Sequence, residues 1–174
     1  MLKLGLAAAL LLLAYTSVNA SIDIKFTESA PKDRFSITNQ GKCTFNQIAV
    51  SIDLSSSSGK LFFDTSAQGD GVDVFQPFEA SQGEYALVSQ RGGETVIDGD
   101  NQLTLLIETL VPGDRLEFTI DVDDRLPNSA LGQTQISSAE IEGAVAKVTM
   151  ENAKVLSAFF DLYSMASIEM PSCH

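Results

Sequence analysis

The chain has 174 residues and a mass of 18.6 kDa, with 11 Lys and Arg against 23 Asp and Glu, a formal charge of −12 and a pI near 4.3. That length suits one ordinary domain with a real core, and so acidic a chain lacks the clustered Lys and Arg that grip bare nucleic-acid phosphates. The single histidine, His174, is the last residue, which excludes a His-based triad and a multi-His metal site.

Residues 1–20 read as a secretory signal peptide. Lys3 gives a basic start, Leu4–Ala14 is apolar, and Val18-Asn19-Ala20 is a small-residue exit of the A-x-A kind. The apolar stretch is shorter than the roughly 20 residues a membrane-spanning helix needs, so cleavage after Ala20 is expected rather than anchoring. No Cys follows the cut until Cys43, so the lipoprotein pattern is not met. Loss of Lys3 takes the formal charge from −12 to −13 over Ser21–His174. The expectation is a secreted or periplasmic protein without a membrane span in its mature chain.

Beyond Ala20 one theme repeats: apolar residues at every second position, interrupted by Gly, Asn, Asp, Pro or Ser. Ile22, Ile24 and Phe26 begin it, followed by Phe35 and Ile37, then Ile48, Val50, Ile52 and Leu54. Leu61 and Phe63 follow the Ser55–Gly59 turn, and Val72 and Val74 precede Pro77. Leu103, Leu105 and Ile107 form another run, and Leu116, Phe118, Ile120 and Val122 the cleanest. Val145 and Val148 mark a further candidate whose pattern slips by one residue. Alternation places one side of a strand inside and the other in water. Many such runs separated by turn signals predict an all-β fold, specifically an Ig-like antiparallel β-sandwich filling residues 21–174 as a single domain. Asn39-Gln40-Gly41 and Pro112-Gly113-Asp114 have the residues that tight turns require. Residues 153–165 fit either a helix, with Leu156, Phe160 and Tyr163 on one side, or part of a final hairpin carrying Ala166, Ile168 and Met170 into the core. The hairpin is favoured.

Cys43 and Cys173 are the two cysteines. In an exported chain they predict one bridge that ties the terminal segment to the sandwich. Neither has the spacing or basic surroundings of a reactive thiol.

Carboxylates cluster at Asp70/Asp73, at Asp98 and Asp100, and at Asp121, Asp123 and Asp124. On a strand, Asp121 and Asp123 point the same way while Val122 points inward, an arrangement of like charges that a cation or a basic group would relieve. Calcium takes six to eight oxygen ligands, so Asp121, Asp123 and Asp124 are the first-choice candidates, with Asp98 and Asp100 second. The EF-hand spacing is absent. The plainer reading, which the sequence alone favours, is an acidic surface kept soluble by net repulsion, with Asp also serving as turn former.

Other chemistry is thin. There is no Gly-rich phosphate loop, GxSxG elbow or HExxH motif, and with no Trp and three Tyr the chain is poorly supplied with sugar-stacking platforms. The Phe residues fall mostly on inward positions. Phe75 and Phe78, around Pro77, are the one exposed-looking aromatic pair, either a strand end or a partner contact.

Several strings occur together: Phe35-Ser36-Ile37-Thr38-Asn39-Gln40-Gly41 before Cys43, Val50–Ser55, Gly59 with Leu61–Thr65, Gly71–Phe78, and Phe118–Asp124. In this order the chain resembles small exported bacterial proteins, common in marine species, whose names link them to the sponge aggregation factor core protein. The resemblance covers most of Ser21–Cys173, includes both cysteines, and implies an extracellular β-sandwich with a role in calcium-dependent adhesion or aggregation. It brings no site residues with it. The expected function is a non-catalytic secreted interaction module, calcium-assisted, with an extracellular protein or glycan as partner. A carbohydrate-binding sandwich using the Phe75/Phe78 edge is the alternative, and a hydrolase built on the acidic loops ranks third.

Overall fold

The computed structural model describes residues 20–69, 71–129 and 131–173. Two antiparallel sheets pack face to face, as the alternation predicts. One has the strand order β11-β1-β2-β8-β4, and the other β10-β9-β3-β7-β6. The first holds β1 (Ala20–Thr27), β2 (Asp33–Asn39), β4 (Phe62–Asp64), β8 (Arg115–Asp123) and β11 (Met165–Met170). The second holds β3 (Phe45–Asp53), β6 (Ala86–Ser89), β7 (Gln102–Leu110), β9 (Val145–Thr149) and β10 (Val155–Phe159). β5 (Glu79–Gln82) also pairs with β8. Two short strands therefore share one edge of β8, β5 along Glu117–Thr119 and β4 along Asp121–Asp123.

The inward set fills the space between the sheets. Phe35 lies at its centre, stacked on Phe118 at 5.2 Å between ring centroids and tilted against Phe26 at 5.1 Å. Phe63 and Phe160 meet Phe35 edge-on. Rings in such offset and edge contacts gain from their quadrupoles as well as from burial.

Around this core the turns close as their residues demand. The buried Asn39 side chain donates to the carbonyls of Cys43 (2.8 Å) and Leu110 (3.0 Å), and its Oδ1 accepts the Gly41 N–H. One amide thus bonds three buried backbone groups at once. The Cys43–Cys173 disulfide joins the loop before β3 to the segment after β11, with Cα atoms 5.5 Å apart.

Three expectations change. Residues 72–74 form no strand; they belong to a loop bent over the outside of β4 and β8, and Val74 is exposed. The tail is β-structure, with Ala166, Ile168 and Met170 buried, but β10 and β11 do not pair as a hairpin. The turn Asp161–Ser164 instead carries the chain from one sheet to the other. One short helix, α1 (Ser138–Ile141), is present among the described residues, and the Ser137 N–H donates to the Glu140 carboxylate at 2.7 Å. It is a capping box that the strand pattern hid. No described helix is long and apolar enough to cross a membrane. The expected signal peptide lies outside the described residues except for Ala20, which is buried in β1 opposite Met170.

Candidate metal centre

The alternation of β8 sets the site. Leu116, Phe118, Ile120 and Val122 face the core, so Asp121 and Asp123 face away from it. On β4, Phe63 points inward opposite Val122, leaving Asp64 on the outer side as the cross-strand partner of Asp121. An outward strand face would ordinarily meet water. Here Asp64 and Asp123 are fully buried and Asp121 is 6% exposed.

Glycine backbone provides the cover. After β4 the chain folds back so that Gly71 lies against Asp64 and Asp123, close enough that a Cβ on Gly71 would collide with the Asp64 carboxylate. The Val72 N–H donates to Asp64 Oδ2 at 2.8 Å. Gly69 approaches Asp98 in the same way, and a Cβ there would collide with the Asp98 carboxylate. On the other side of β4, the Phe63 N–H donates to the Asp100 carbonyl and the Gly99 N–H to the Phe63 carbonyl. This stitching holds the 98–100 turn against the strand and sets Asp98 beside Asp64.

Asp64, Asp121 and Asp123 each offer a carboxylate oxygen, and these oxygens lie within 4.8 Å of one another. Oxygens bound at about 2.3–2.6 Å to one calcium ion are at most about 5 Å apart, so the spread suits a shared cation. Among the described residues, no hydrogen bond of ordinary geometry reaches either oxygen of Asp123, Oδ1 of Asp64 or Oδ2 of the buried Asp124. Buried carboxylate oxygens are normally satisfied, because burying a charge without a partner costs several kcal/mol.

The electrostatics follow from this crowding. Burial, then the neighbouring Asp98 and Asp123, pushes Asp64 from 3.8 up to about 7. Burial and the charges of Asp64 and Glu28 push Asp121 to about 7. Burial with Asp121 and Asp124 does the same to Asp123. Asp33, buried next to Glu28, rises to about 9 while accepting hydrogen bonds from the Ser29 and Val122 N–H groups. Lys32 acts against the rise at Asp121, but its Nζ is held 2.7 Å from Glu79. A cation favours the charged form of every carboxylate in the group. The all-oxygen donor set matches a hard ion such as calcium or magnesium rather than zinc or copper.

Of the residues singled out in the sequence, Asp121 and Asp123 belong to the cluster. Asp124 adjoins it, with Oδ1 accepting the Leu126 N–H at 2.7 Å. Asp98 touches it through Asp64, and its Oδ1 accepts the Thr65 N–H at 3.2 Å. Asp100 stands apart: its Oδ1 faces Arg91 at 3.1 Å and its Oδ2 accepts the Ile97 N–H, so it closes its own turn. Asp70 lies outside the described residues, and Asp73 is exposed. Asp64, the third member of the cluster, carries no sequence signal beyond being an acid at a strand end.

Phe75 and Phe78 part company. Phe78 packs against the core, its ring 5.0 Å from Phe118 and 6.3 Å from Tyr85, whereas Phe75 is 72% exposed. Comparison with protein-family models, with curated proteins and with solved structures finds no match.

Proposed function

We infer that the chain is a non-catalytic extracellular interaction module in which Asp64, Asp121 and Asp123 bind a calcium ion that fixes the 65–78 loop for contact with a partner. The observation that carries this reading is the set of buried carboxylate oxygens at one point on the sandwich that find no donor among the described residues. A calcium ion would supply the missing charge, with Asp124 and Asp98 as adjoining carboxylates. It would bind the underside of the loop whose Gly71 lies on the cluster. That loop carries Phe75 into solvent while Phe78 anchors it. Burial of the carboxylates argues against catalysis, since a substrate could not touch them. The disulfide suits an oxidising compartment, and the signal-like first twenty residues suit export. The resemblance to aggregation-factor-related proteins points the same way.

The test is calorimetric titration of the protein with calcium, with Asp123→Asn as control. Heat of binding at one site, lost in the variant, is the expected result; no binding would return the cluster to a buried acidic network. The exposure of Phe75 favours one second reading, a glycan contact at the same loop. Glycan-array binding that Phe75→Ala abolishes would establish it.

A further inference from the structure

The outer face of the second sheet carries an aliphatic stripe. On β7, Leu103, Leu105 and Ile107 are buried in the core, so Leu106 and Glu108 face outward. The pairing registers set Val155, Thr149, Ala49, Leu106 and Ala86 side by side across β10, β9, β3, β7 and β6. At about 4.8 Å between neighbouring strands, this row runs about 19 Å. All of it but Thr149 is aliphatic, and Leu106 is 47% exposed. Over β9, β3, β7 and β6 the stripe forms the floor of a groove of about 760 Å³, which Tyr85 and Met150 also line.

The border of the groove is acidic. Glu108 follows Leu106 on the same face of β7, and the chain entering β6 brings Glu84 to the same groove. Among the described residues, neither carboxylate makes an ion pair or a hydrogen bond, and no Lys or Arg lines the groove. Lys147, on this face beyond Thr149, is held 3.1 Å from Asp53. The wall that carries Glu84 is anchored on both sides. Gly83, with φ +88°, lies so close to Leu116 that a Cβ would collide with its side chain. The Tyr85 hydroxyl donates to the Glu117 carbonyl, and its ring meets Phe78 edge-on. The groove is therefore formed before anything binds, which spares the cost of ordering it.

Unpaired carboxylates beside an aliphatic floor are complementary to a side chain with an apolar stem and a cationic head, which is lysine. A second copy of this chain, with its formal charge of −12, would set glutamate near glutamate. A glycan stacks on an open aromatic ring, whereas Tyr85 is half-buried with its hydroxyl already bonded. A small amine would stay largely in water in so open a trough, while about six extended residues would span the whole row at about 3.3 Å each. We propose that this groove binds a lysine-bearing aliphatic peptide segment of a partner protein, laid across the sheet. The contact does not depend on the metal centre, which lies on the opposite sheet, so the module has two separate contact faces.

NMR titration of the isotope-labelled protein, in EDTA, with the peptide acetyl-Leu-Lys-Leu-Leu-Lys-Leu-amide tests it. The expected result is saturable shifts centred on the Ala49, Leu106 and Ala86 amides, and much weaker binding of peptides with Glu in place of Lys or Ser in place of Leu. Glu84→Gln with Glu108→Gln should weaken binding roughly two- to thirtyfold, the worth of two exposed ion pairs. Leu106→Thr, which keeps the preference for strand, should weaken it too. All three side chains are exposed, so these variants should stay folded. Glu94→Gln with Glu169→Gln removes the same charge elsewhere on the exposed surface and should bind like the wild type. Absence of saturable shifts, shifts spread over the acidic surface, or equal weakening in the two glutamine double variants would overturn the proposal. So would equally tight binding of the Ser-containing peptide or of hexylamine. A wild-type dimer in sedimentation that Leu106→Thr dissolves would assign the groove to a second copy and overturn it as well.

Discussion

Asp64 and Asp121 sit directly opposite one another on β4 and β8, on the outward face of their sheet, and both are buried. Like charges directly opposed across two strands destabilise the pair. Here Asp123 and the covering glycine backbone add to the crowding. The arrangement therefore has a strong dependence on protons and cations.

The first consequence is a pH profile in the absence of metal. Asp64, Asp121 and Asp123 have folded values of about 7 against an ordinary 3.8. Each therefore holds its proton more tightly in the folded chain than in the unfolded one. Their contribution to stability is fully present below the ordinary carboxylate range and is lost as pH rises through about 7. In EDTA the melting temperature should fall between pH 5 and pH 8. With saturating calcium, which competes with the protons, this fall should flatten. Thermal melts across that range in the two buffers check both statements.

Gly71 should resist substitution. A Cβ there meets the Asp64 carboxylate and crowds Asp123, so Gly71→Ala must displace either the loop or the side chains. Forcing extra volume into such packing costs about 1–3 kcal/mol. The variant should melt lower than wild type, by denaturant unfolding as well as by heat, and should bind calcium more weakly.

Removal of the disulfide should be costly because the bridge closes a separation of 130 residues. Chain entropy sets an upper figure of about 4–5 kcal/mol for a loop of that size. The Cys43→Ser Cys173→Ser double variant should lose stability up to that amount in urea unfolding. Proteolysis should then begin in the segment after β11.

The outward pairing of Asp121 with Asp123 was legible because β8 alternates without interruption, as was the packing of Ala166, Ile168 and Met170. The third ligand was not. Asp64 ends a three-residue strand, and its place opposite Asp121 is a long-range pairing that local periodicity does not encode. Residues 72–74 misled for the opposite reason: Val72 and Val74 alternate like a strand, but this segment covers carboxylates and leaves Val74 exposed. Asp98 and Asp100 look alike in sequence. Only the stitching of their turn to Phe63 and the Arg91 contact separates the residue near the cluster from the one that closes its own loop.

Loop presentation makes a further statement about Phe75. It is exposed and Phe78 is packed, so Phe75→Ala should leave the melting temperature within about 0.5 kcal/mol of wild type and reduce partner binding. Phe78→Ala should lower stability by about 3 kcal/mol or somewhat less, since its site is half-buried. Paired melting and binding measurements on the two variants distinguish the roles.

Calcium binding by the buried aspartates is best checked by a thermal melt in EDTA and then in millimolar calcium, with Asp64→Asn Asp123→Asn alongside. A ligand at a hundredfold excess over its Kd adds about 2.7 kcal/mol, on the order of 5–10 °C for a domain of this size. An upward shift of that order is expected in the wild type and none in the double variant. An unchanged wild-type melt, or an equal shift in both proteins, would rule out a calcium site at these aspartates.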